Sequence, residues 1–497
     1  MTIHVSKDTG CNLGCSYCYE EPDREINEND VSSQSLDTDA AIAQLDEWKE
    51  QYPTDVPGLH GGEPLLIDTD DLEVVFKWVY DNYESVRDGT QASHIQTNGT
   101  LIKERHIDLF KQYNVSVGIS CDGPVELNRE RLARPEKDEA EDGFTTTDSL
   151  SQITNDNITR LANQGVSVGI IVVIHETNAG TDERLEILLD WMDDLAKQGV
   201  SGHYNPALPY DEIQTENSLS GERLKEVYLR TYEWMKEEQY REWNPMSDAR
   251  DNLLGNKLTN CVNNRCDVFN AGAAKIVTGE GETTGCGKTW GSVGDGVPFL
   301  QGPSNESEYD DNEERYEMLQ QVPGPYTEGE PDLGGCKGCK YWNVCQGGCP
   351  SGAIDQDFRN RTRWCPAKYA MYEAIENDMR TLFPNITLIT DYPWNAELAK
   401  YASKWGLDIK PFAAMDPGED GPSSVWGGYS HPWGGPLDRV PEDVFPDDWR
   451  GEKEFIKSMY DEEVLEIDEH THNWHADSDM GDQNDDGWKQ VDEETEA

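Results

Sequence analysis

The chain contains 497 residues, enough for two or three domains, and its 98 Asp and Glu residues against 41 Lys and Arg residues give a formal net charge of -57. Such a charge repels the phosphates of nucleic acids and of anionic membranes, so neither is expected as a partner. Two interpretations of the acidity remain open: a solvated acidic shell, as in a halophile with a salt-rich cytoplasm, or an acidic surface that recruits a basic partner. The first residues lack the basic start and apolar run of a signal peptide, and no stretch reaches the roughly 20 apolar residues of a membrane span, so we expect a cytoplasmic protein.

Residues 1–212 alternate between strand-like and helix-like patterns. Six strands are predicted, at Thr2–Val5, Val56–His60, Ser93–Thr97, Val115–Ser120, Val166–Ile174 and Val200–Tyr204. Amphipathic helices are predicted between them, among them 39–52, 70–83 and 183–197. Strand–helix units in succession predict a parallel sheet with helices outside, which could close into a full or partial barrel. In such barrels the chemistry lies at the carboxyl ends of the strands.

The rest of the chain divides by composition. Residues 213–260 predict a helical linker, residues 261–370 are dense in cysteine, and residues 371–395 predict a C-terminal helix. Residues 396–497 form an acidic extension rich in Gly, Pro and Trp. Its end, 476–497, has almost no apolar side chains and is expected to be disordered.

Three cysteines stand directly after the first predicted strand, at Cys11, Cys15 and Cys18. A four-iron cluster normally takes four cysteines, so a three-cysteine site leaves one iron open for chemistry. In a reducing compartment the twelve cysteines of the chain are expected to be metal ligands rather than disulfides. A structural zinc loop is the alternative, although zinc usually takes four ligands.

Three further short motifs follow the second, third and fourth predicted strands. They are His60–Pro64 (HGGEP), Gln96–Gly99 (QTNG) and Ser120–Pro124 (SCDGP). The adjacent glycines of the first motif let the backbone approach a ligand closely. Each motif is weak alone, but four in order, each at a strand end, form a specific pattern.

The CxxxCxxC loop, with an aromatic residue before its last cysteine, and the three strand-end motifs together resemble the radical S-adenosylmethionine (SAM) superfamily. The resemblance implies a partial (β/α)6 TIM-like barrel over residues 1–212, a 4Fe-4S cluster on Cys11, Cys15 and Cys18, and SAM as a cofactor. It further implies that SAM is bound by Tyr17, Gly61, Gly62, Glu63, Asn98, Ser120, Arg131 and Ile171. Within this set, exposed backbone carbonyls and Glu63 would bind the SAM ammonium. Arg134 is the alternative to Arg131 for the ribose or carboxylate of SAM, and plain core packing is the alternative role of Ile171.

A second group of eight cysteines lies between residues 261 and 370. It resembles the SPASM extension of radical SAM enzymes, which implies a small iron–sulfur domain with two auxiliary 4Fe-4S clusters, three clusters in all. By the resemblance, auxiliary cluster I uses Cys261, Cys266, Cys286 and Cys349, and auxiliary cluster II uses Cys336, Cys339, Cys345 and Cys365. One alternative is a pair of structural zinc sites. Another is that Cys261 is not a ligand, so that cluster I keeps an open iron for the substrate.

Several other residues have two interpretations each. Cys121, the twelfth cysteine, is expected to be a small buried thiol, although a redox role is conceivable. The histidines His470, His472 and His475 could bind a metal ion or simply belong to a polar tail. Lys288 could be a base or a carboxylate anchor, or an ordinary surface lysine.

The resemblance implies an enzyme that modifies a peptide or protein by radical chemistry, with an electron donor such as ferredoxin or flavodoxin. Because the chain begins at its first predicted strand, a separate leader-recognition protein or the C-terminal region would have to recruit the substrate. A sulfatase-type formylglycine maturase is the second hypothesis, because in those enzymes an aspartate base follows the cysteine that corresponds to Cys286, whereas Gly287 stands here. The competing class is a non-catalytic iron–sulfur or zinc protein.

Overall fold

The structure is a computed structural model of the whole chain, and it describes fourteen stretches of it. These are residues 2–4, 10–18, 36–51, 53, 56–133, 146–208, 216–254, 276–277, 283–284, 315–324, 333–357, 359–384, 386 and 388–391. The chain divides into two compact units that alternate along the sequence. The first unit takes 1–245, 271–311 and 349–367, and the second takes 246–270, 312–348 and 368–497.

A parallel sheet forms the centre of the first unit. Its first six strands are β1 Thr2–His4, β2 Gly58–His60, β3 Ser93–Thr97, β4 Val115–Ser120, β5 Val168–Ile174 and β6 Ser201–Pro206. All six predicted strands are confirmed, with ends that differ by at most two residues from the predicted ones. Three two-residue strands were not predicted: β7 Trp243–Asn244, β8 Ile276–Val277 and β9 Thr283–Thr284.

The described strands lie in the order β7-β6-β5-β4-β3-β2-β1-β8-β9. All neighbours are parallel except β8 and β9, which pair in antiparallel fashion. Register is continuous where the strands are longest, for example from Ser93 opposite Val115 to Thr97 opposite Ile119. Because the strands from β1 to β6 are parallel, their carboxyl ends meet at one edge of the sheet, and the predicted motifs meet there too.

Helices separate the strands of the first unit. They are α1 Thr38–Gln51, α2 Thr69–Asn82, α3 Glu84–Arg87, α4 Glu104–Gln112, α5 Thr147–Asn163, α6 Glu176–Ala179, α7 Asp182–Ala196 and α8 Gly221–Glu237, with short 3-10 turns at Pro64–Leu66, Pro350–Gly352 and Ile354–Gln356. The longer helices follow the amphipathic rule: α2 buries Leu72, Val75, Phe76 and Val79, one stripe at a period near 3.6. This stripe packs inward, and the polar face remains in solvent.

Strand β5 shows how the sheet separates core from site. Val168, Ile170, Val172 and Ile174 are buried, and the residues between them are only half buried. Successive strand residues point to opposite faces, so Ile171 and its half-buried neighbours lie on the other face of the sheet. That face borders the pocket described below.

The second unit contains α9 Met246–Leu253, α10 Trp342–Cys345 and a 3-10 turn at Ile389–Asp391, and it receives most of α11 Cys365–Leu382. Tyr341 donates its hydroxyl to Glu376 across 2.8 Å, and the Asn343 amide donates to the Ile389 carbonyl across 2.9 Å. These buried polar contacts join α10 to α11 and to the terminal turn. The residues 396–497, including the three tail histidines, lie outside the described part of the chain.

Among the described residues, no helix combines the length and the apolar character that crossing a membrane requires.

Candidate active site

The loop from residue 10 to 18 carries the first three cysteines and is held by backbone hydrogen bonds on two sides. Gly14 and Ser16 donate their amides to the carbonyls of Leu132 and Glu130, across 2.9 and 3.0 Å. The carbonyl of Gly10 accepts from the amide of Glu63 across 2.9 Å. The loop is therefore fixed both to the strand-end motif after β2 and to the segment after β4.

Cys11, Cys15 and Cys18 line one pocket at the carboxyl edge of the sheet. The pocket holds about 990 Å³ of empty space, a volume that includes its open mouth. Cys11 is buried, and the other two cysteines are half buried. Within the described residues, no three His, Cys, Asp or Glu side chains converge closely enough to hold a single metal ion.

The glycine pair after β2 lines the same pocket. Gly61 and Gly62 have φ of 102° and 44°, a left-handed backbone that favours glycine. Without side chains, this turn presents backbone groups to the pocket. Gly61 and Gly62 thus share a pocket with the three cysteines, and their contact with SAM stays a prediction.

Glu63 is turned away from the pocket, and it is not one of the residues that line it. Its carboxylate accepts three hydrogen bonds, from the amide of Leu65 at 2.9 Å, the hydroxyl of Thr97 at 2.7 Å and the amide of Asn98 at 2.7 Å. Burial raises the pKa of Glu63, and these donors oppose that rise. In this structure the carboxylate joins the ends of β2 and β3, and the contact with the SAM ammonium stays a prediction.

Ser120 lies at the end of β4 and lines the pocket together with Gln96 from β3. The Gln96 amide donates to the Ser120 hydroxyl across 2.8 Å. Gln96 was not predicted as a site residue, although it belongs to one of the strand-end motifs. Its position near the carboxyl end of β3 could have indicated it, because sites form at that edge of a parallel sheet.

Asp122 is the centre of a buried network behind the pocket. Its Oδ1 accepts from Arg131 Nη2 at 2.9 Å and from the amide of Val173 at 2.9 Å. Its Oδ2 accepts from the Tyr17 hydroxyl and lies 3.4 Å from His175 Nε2. Burial alone would raise the pKa of Asp122, but Arg131 and His175 hold it at about 2.

Tyr17 and Arg131 both line the pocket, so the Asp122 network reaches its wall. The Arg131 guanidinium lies 5.5 Å from the centre of the Tyr17 ring, and that ring stacks on His175 at 5.3 Å. Burial raises the pKa of Tyr17 well above its usual range, so the phenol stays protonated as a donor. Arg134, the other candidate arginine, lies outside the described residues.

The remaining wall is apolar. Ile171 and Val173 of β5 line the pocket from the half-buried face of that strand. Asn205 and Pro206 at the end of β6, followed by residues 207–208, complete this side. None of these β6 residues was predicted, but the rule that sites form at the carboxyl ends of parallel strands could have indicated them.

The second set of cysteines is only partly described. Cys336, Cys339 and Cys345 belong to the second unit, whereas Cys349 and Cys365 belong to the first. Cys261, Cys266, Cys286 and Lys288 lie outside the described residues.

The described cysteines of this set occur in tight turns. The Cys339 amide donates to the Cys336 carbonyl across 2.9 Å. The Gly348 amide donates to the Cys345 carbonyl across 2.9 Å, in a turn where Gln346, Gly347 and Gly348 all have positive φ. The assignment of these cysteines to two auxiliary clusters stays a prediction.

Cys121 is fully buried, as expected of a small apolar thiol. Its sulfur lies 3.3 Å from the Gly123 carbonyl, and burial raises its pKa to about 12. It does not line the pocket of the three cysteines.

Comparison with known proteins agrees with this geometry. Residues 5–190 match the family model of the radical SAM superfamily. The matched segment carries the three cysteines, the glycine pair and the residues of β3, β4 and β5 that line the pocket, whereas the end of β6 lies beyond it.

Among curated relatives, an uncharacterized protein of Synechocystis is 36% identical over 130 residues, 25% of this chain and 31% of the relative. The serine-type anaerobic sulfatase-maturating enzyme of Bacteroides thetaiotaomicron is 31% identical over 129 residues, 24% of this chain and 28% of that enzyme. The chain thus spans only about a third of the length of the curated relatives it matches.

Among solved structures, that of native anSMEcpe with bound AdoMet superposes with a TM-score of 0.53 at 16% identity, covering 77% of this chain and 98% of that one. The same protein with AdoMet and the Cp18Cys peptide gives a TM-score of 0.54 at 14% identity, covering 78% of this chain and 99% of that one. The overall fold is therefore the one seen in these structures.

Proposed function

We propose that the chain is a radical SAM enzyme that modifies a peptide or protein. The observation that carries the proposal is that Cys11, Cys15 and Cys18 line one pocket together with the glycine pair after β2 and the polar ends of β3 and β4. A non-catalytic iron–sulfur protein needs no such pocket beside its cysteines.

The residues present fit the implied cofactors. Three thiols around an open space suit a 4Fe-4S cluster with one iron free of protein, and a single zinc ion would need a fourth ligand. When bound, the reduced cluster and SAM supply a 5′-deoxyadenosyl radical that abstracts a hydrogen atom from the substrate.

The protein's own residues would bind and orient SAM. Backbone groups of Gly61 and Gly62 face the pocket and can accept from an ammonium, while Ser120 and Arg131 supply a hydroxyl and a fixed positive charge for its polar groups. Ile171 and Val173 form an apolar wall suited to a flat base and keep water from the reacting atoms.

Two comparisons support a peptide or protein as the substrate. A curated relative is named a sulfatase-maturating enzyme, and a protein of the same fold was solved with a bound peptide. The auxiliary clusters inferred from the second cysteine set would accept the electron that the substrate radical releases, and a ferredoxin or flavodoxin would supply the first electron. A separate leader-recognition protein would assist substrate recruitment.

Formylglycine formation is the second candidate, favoured by the names of the relatives. Gly287 after Cys286 argues against it, because the aspartate base of those maturases is missing at this position.

The deciding experiment is anaerobic reconstitution with iron and sulfide, followed by dithionite and SAM. We expect 5′-deoxyadenosine in the wild type and none in a triple variant with Cys11, Cys15 and Cys18 replaced by Ala. Intact clusters without any 5′-deoxyadenosine would refute the proposal. A sulfatase peptide with Ser or Cys at the target position tests the second candidate, since an aldehyde product would be detected by mass.

A further inference from the structure

Asn98 follows β3 and is buried in the wall beside the cysteine loop. Its side-chain nitrogen Nδ2 lies 3.7 Å from the sulfur of Cys11 and 2.9 Å from Oδ1 of Asn12. An amide nitrogen carries two hydrogens, so one can point to each of these acceptors. The geometry thus gives the Cys11 sulfur a side-chain donor from a residue 87 positions away in the chain.

The orientation of this amide is determined by its other contacts. Oδ1 of Asn98 accepts from the backbone amide of Thr100 at 3.0 Å and from its hydroxyl at 2.6 Å. A backbone N–H can only donate, so the oxygen must face Thr100 and the nitrogen must face Cys11. The Asn12 amide closes the ring by donating to the Thr100 hydroxyl across 2.9 Å.

The backbone of Asn98 is equally constrained. Its amide donates to Glu63 at 2.7 Å, and its carbonyl accepts from the hydroxyl of Thr154 at 3.0 Å. Both partners are buried side chains. Asn98 is therefore held by Glu63 after β2, by Thr154 of α5 and by Asn12 of the cysteine loop. Its side-chain amide has little freedom to turn from Cys11 toward another acceptor.

We propose that Asn98 is a positioning residue that sets the reduction potential of the iron–sulfur cluster held by Cys11, Cys15 and Cys18. An N–H dipole aimed at a thiolate sulfur stabilises negative charge on the cluster, and hydrogen bonds to sulfur are one of the protein's means of setting its potential. The backbone amide of Leu13 supplies a second donor to the same sulfur, at 3.4 Å. The proposal rests on the proposed function, because it requires that Cys11 ligate the cluster.

This role differs from direct contact with SAM, which the family resemblance implies for Asn98. A SAM ligand would alter the affinity for SAM and leave the potential of the SAM-free cluster unchanged. A donor to the Cys11 sulfur would alter the potential of the cluster even when SAM is absent. The two roles therefore separate in one measurement.

The test is a redox titration of the anaerobic holoprotein, monitored by electron paramagnetic resonance without SAM. The relevant cluster is recognised by the change of its signal when SAM is added to a parallel sample. In Asn98→Ala we expect the reduced-to-oxidised ratio at a fixed potential to fall about tenfold, a shift of about 59 mV to more negative potential for one electron. Asn12→Ala is the matched control, because it breaks the same ring yet leaves the amide facing Cys11, and it should titrate like the wild type.

Asn98→Asp is the second variant, because it keeps the size of the side chain and the acceptor for Thr100 but replaces the donor with oxygen. It should shift the potential in the same direction and at least as far. An unchanged potential in Asn98→Ala, or a change in SAM affinity alone, would overturn the inference while leaving the proposed function intact. Loss of the SAM-sensitive cluster from both Asn98 variants but not from Asn12→Ala would also overturn it, since Asn98 would then be needed for assembly. Absence of a SAM-sensitive signal in the wild type would instead refute the proposed function.

Discussion

Arg131 donates from Nη2 to Oδ1 of Asp122 across 2.9 Å, and the carboxylate has no exposure to solvent. Arg131 lines the pocket, whereas Asp122 lies behind it and also accepts from Tyr17, beside Cys18. One buried carboxylate thus orients a positive charge and an aromatic ring that both line the pocket. Removing its charge would disturb both.

We expect Asp122→Asn to destabilise the protein and to weaken SAM binding. It leaves the Arg131 charge buried without a counter-ion, and breaking such a pair typically costs about 3–5 kcal/mol. Urea unfolding and equilibrium binding of SAM, both anaerobic, measure the two effects.

The matched control for this pair is Asp182→Asn, which removes a partner of Arg223 that is 73% exposed. Solvent screens that pair, so the control should unfold like the wild type. Equal behaviour of the two variants would show that Asp122 is no more important than a surface carboxylate.

A pH dependence follows from His106 at the start of α4. Its Nδ1 accepts from the Lys103 amide at 3.2 Å and its Nε2 lies 3.1 Å from the Thr69 hydroxyl, and burial lowers its pKa to about 4. The unfolded chain binds a proton below about pH 6.5 and the folded chain does not, so stability is lost as the pH falls from about 6.5 toward 4.

Between pH 7.5 and 5.5 the contribution of His106 to this loss should be about 1 kcal/mol, and His106→Gln should remove that contribution. Glutamine can still serve as the acceptor for the cap, so the helix itself is preserved. Urea unfolding of the holoprotein at the two pH values gives the comparison. If the variant lost as much stability on acidification as the wild type, His106 would not be the group responsible.

Iron content tests the number of clusters. Three four-iron clusters predict about twelve irons per chain, and replacement of Cys11, Cys15 and Cys18 by Ala should leave about eight. Cys121→Ala is the control, because it removes a thiol that does not line the pocket and should keep all twelve. About four irons with stoichiometric zinc in the wild type would refute the two auxiliary clusters.

The hydrogen bond between Gln96 and Ser120 predicts that a substitution at Gly118, a residue outside the pocket, weakens SAM binding. A Cβ added at Gly118 would lie 2.1 Å from Oε1 of Gln96, so Gly118→Ala must displace that side chain from Ser120. Loss of one oriented hydrogen bond, about 1 kcal/mol, should weaken SAM binding about fivefold. Ser116 lies on the same strand, and its hydroxyl donates to the Ser93 carbonyl. The control variant Ser116→Ala should therefore bind SAM normally. Equal affinity in Gly118→Ala and the wild type would exclude the role of this contact.

Sequence patterns were sufficient to predict the first six strands; β4 and β5, for example, are rich in buried valine and isoleucine. The strands β7, β8 and β9 have two residues each, too few to show a hydrophobic period in the sequence. They are strands because they pair with a neighbouring strand of the sheet. Motif analysis indicated Asn98 and Glu63, but not what their side chains contact. Those partners lie far away in the sequence, and only the fold brings Cys11 to Asn98 or Thr97 to the Glu63 carboxylate.

The short segment after β4 connects the two parts of the site that would bind iron and SAM. Glu130 and Leu132 hold the cysteine loop by their carbonyls, and Arg131 between them lines the pocket. In the proposed function, iron on the loop and SAM beside the arginine would therefore be linked ligands. The factor by which bound iron changes the affinity for SAM must equal the factor by which bound SAM changes the affinity for iron, because thermodynamic coupling is reciprocal.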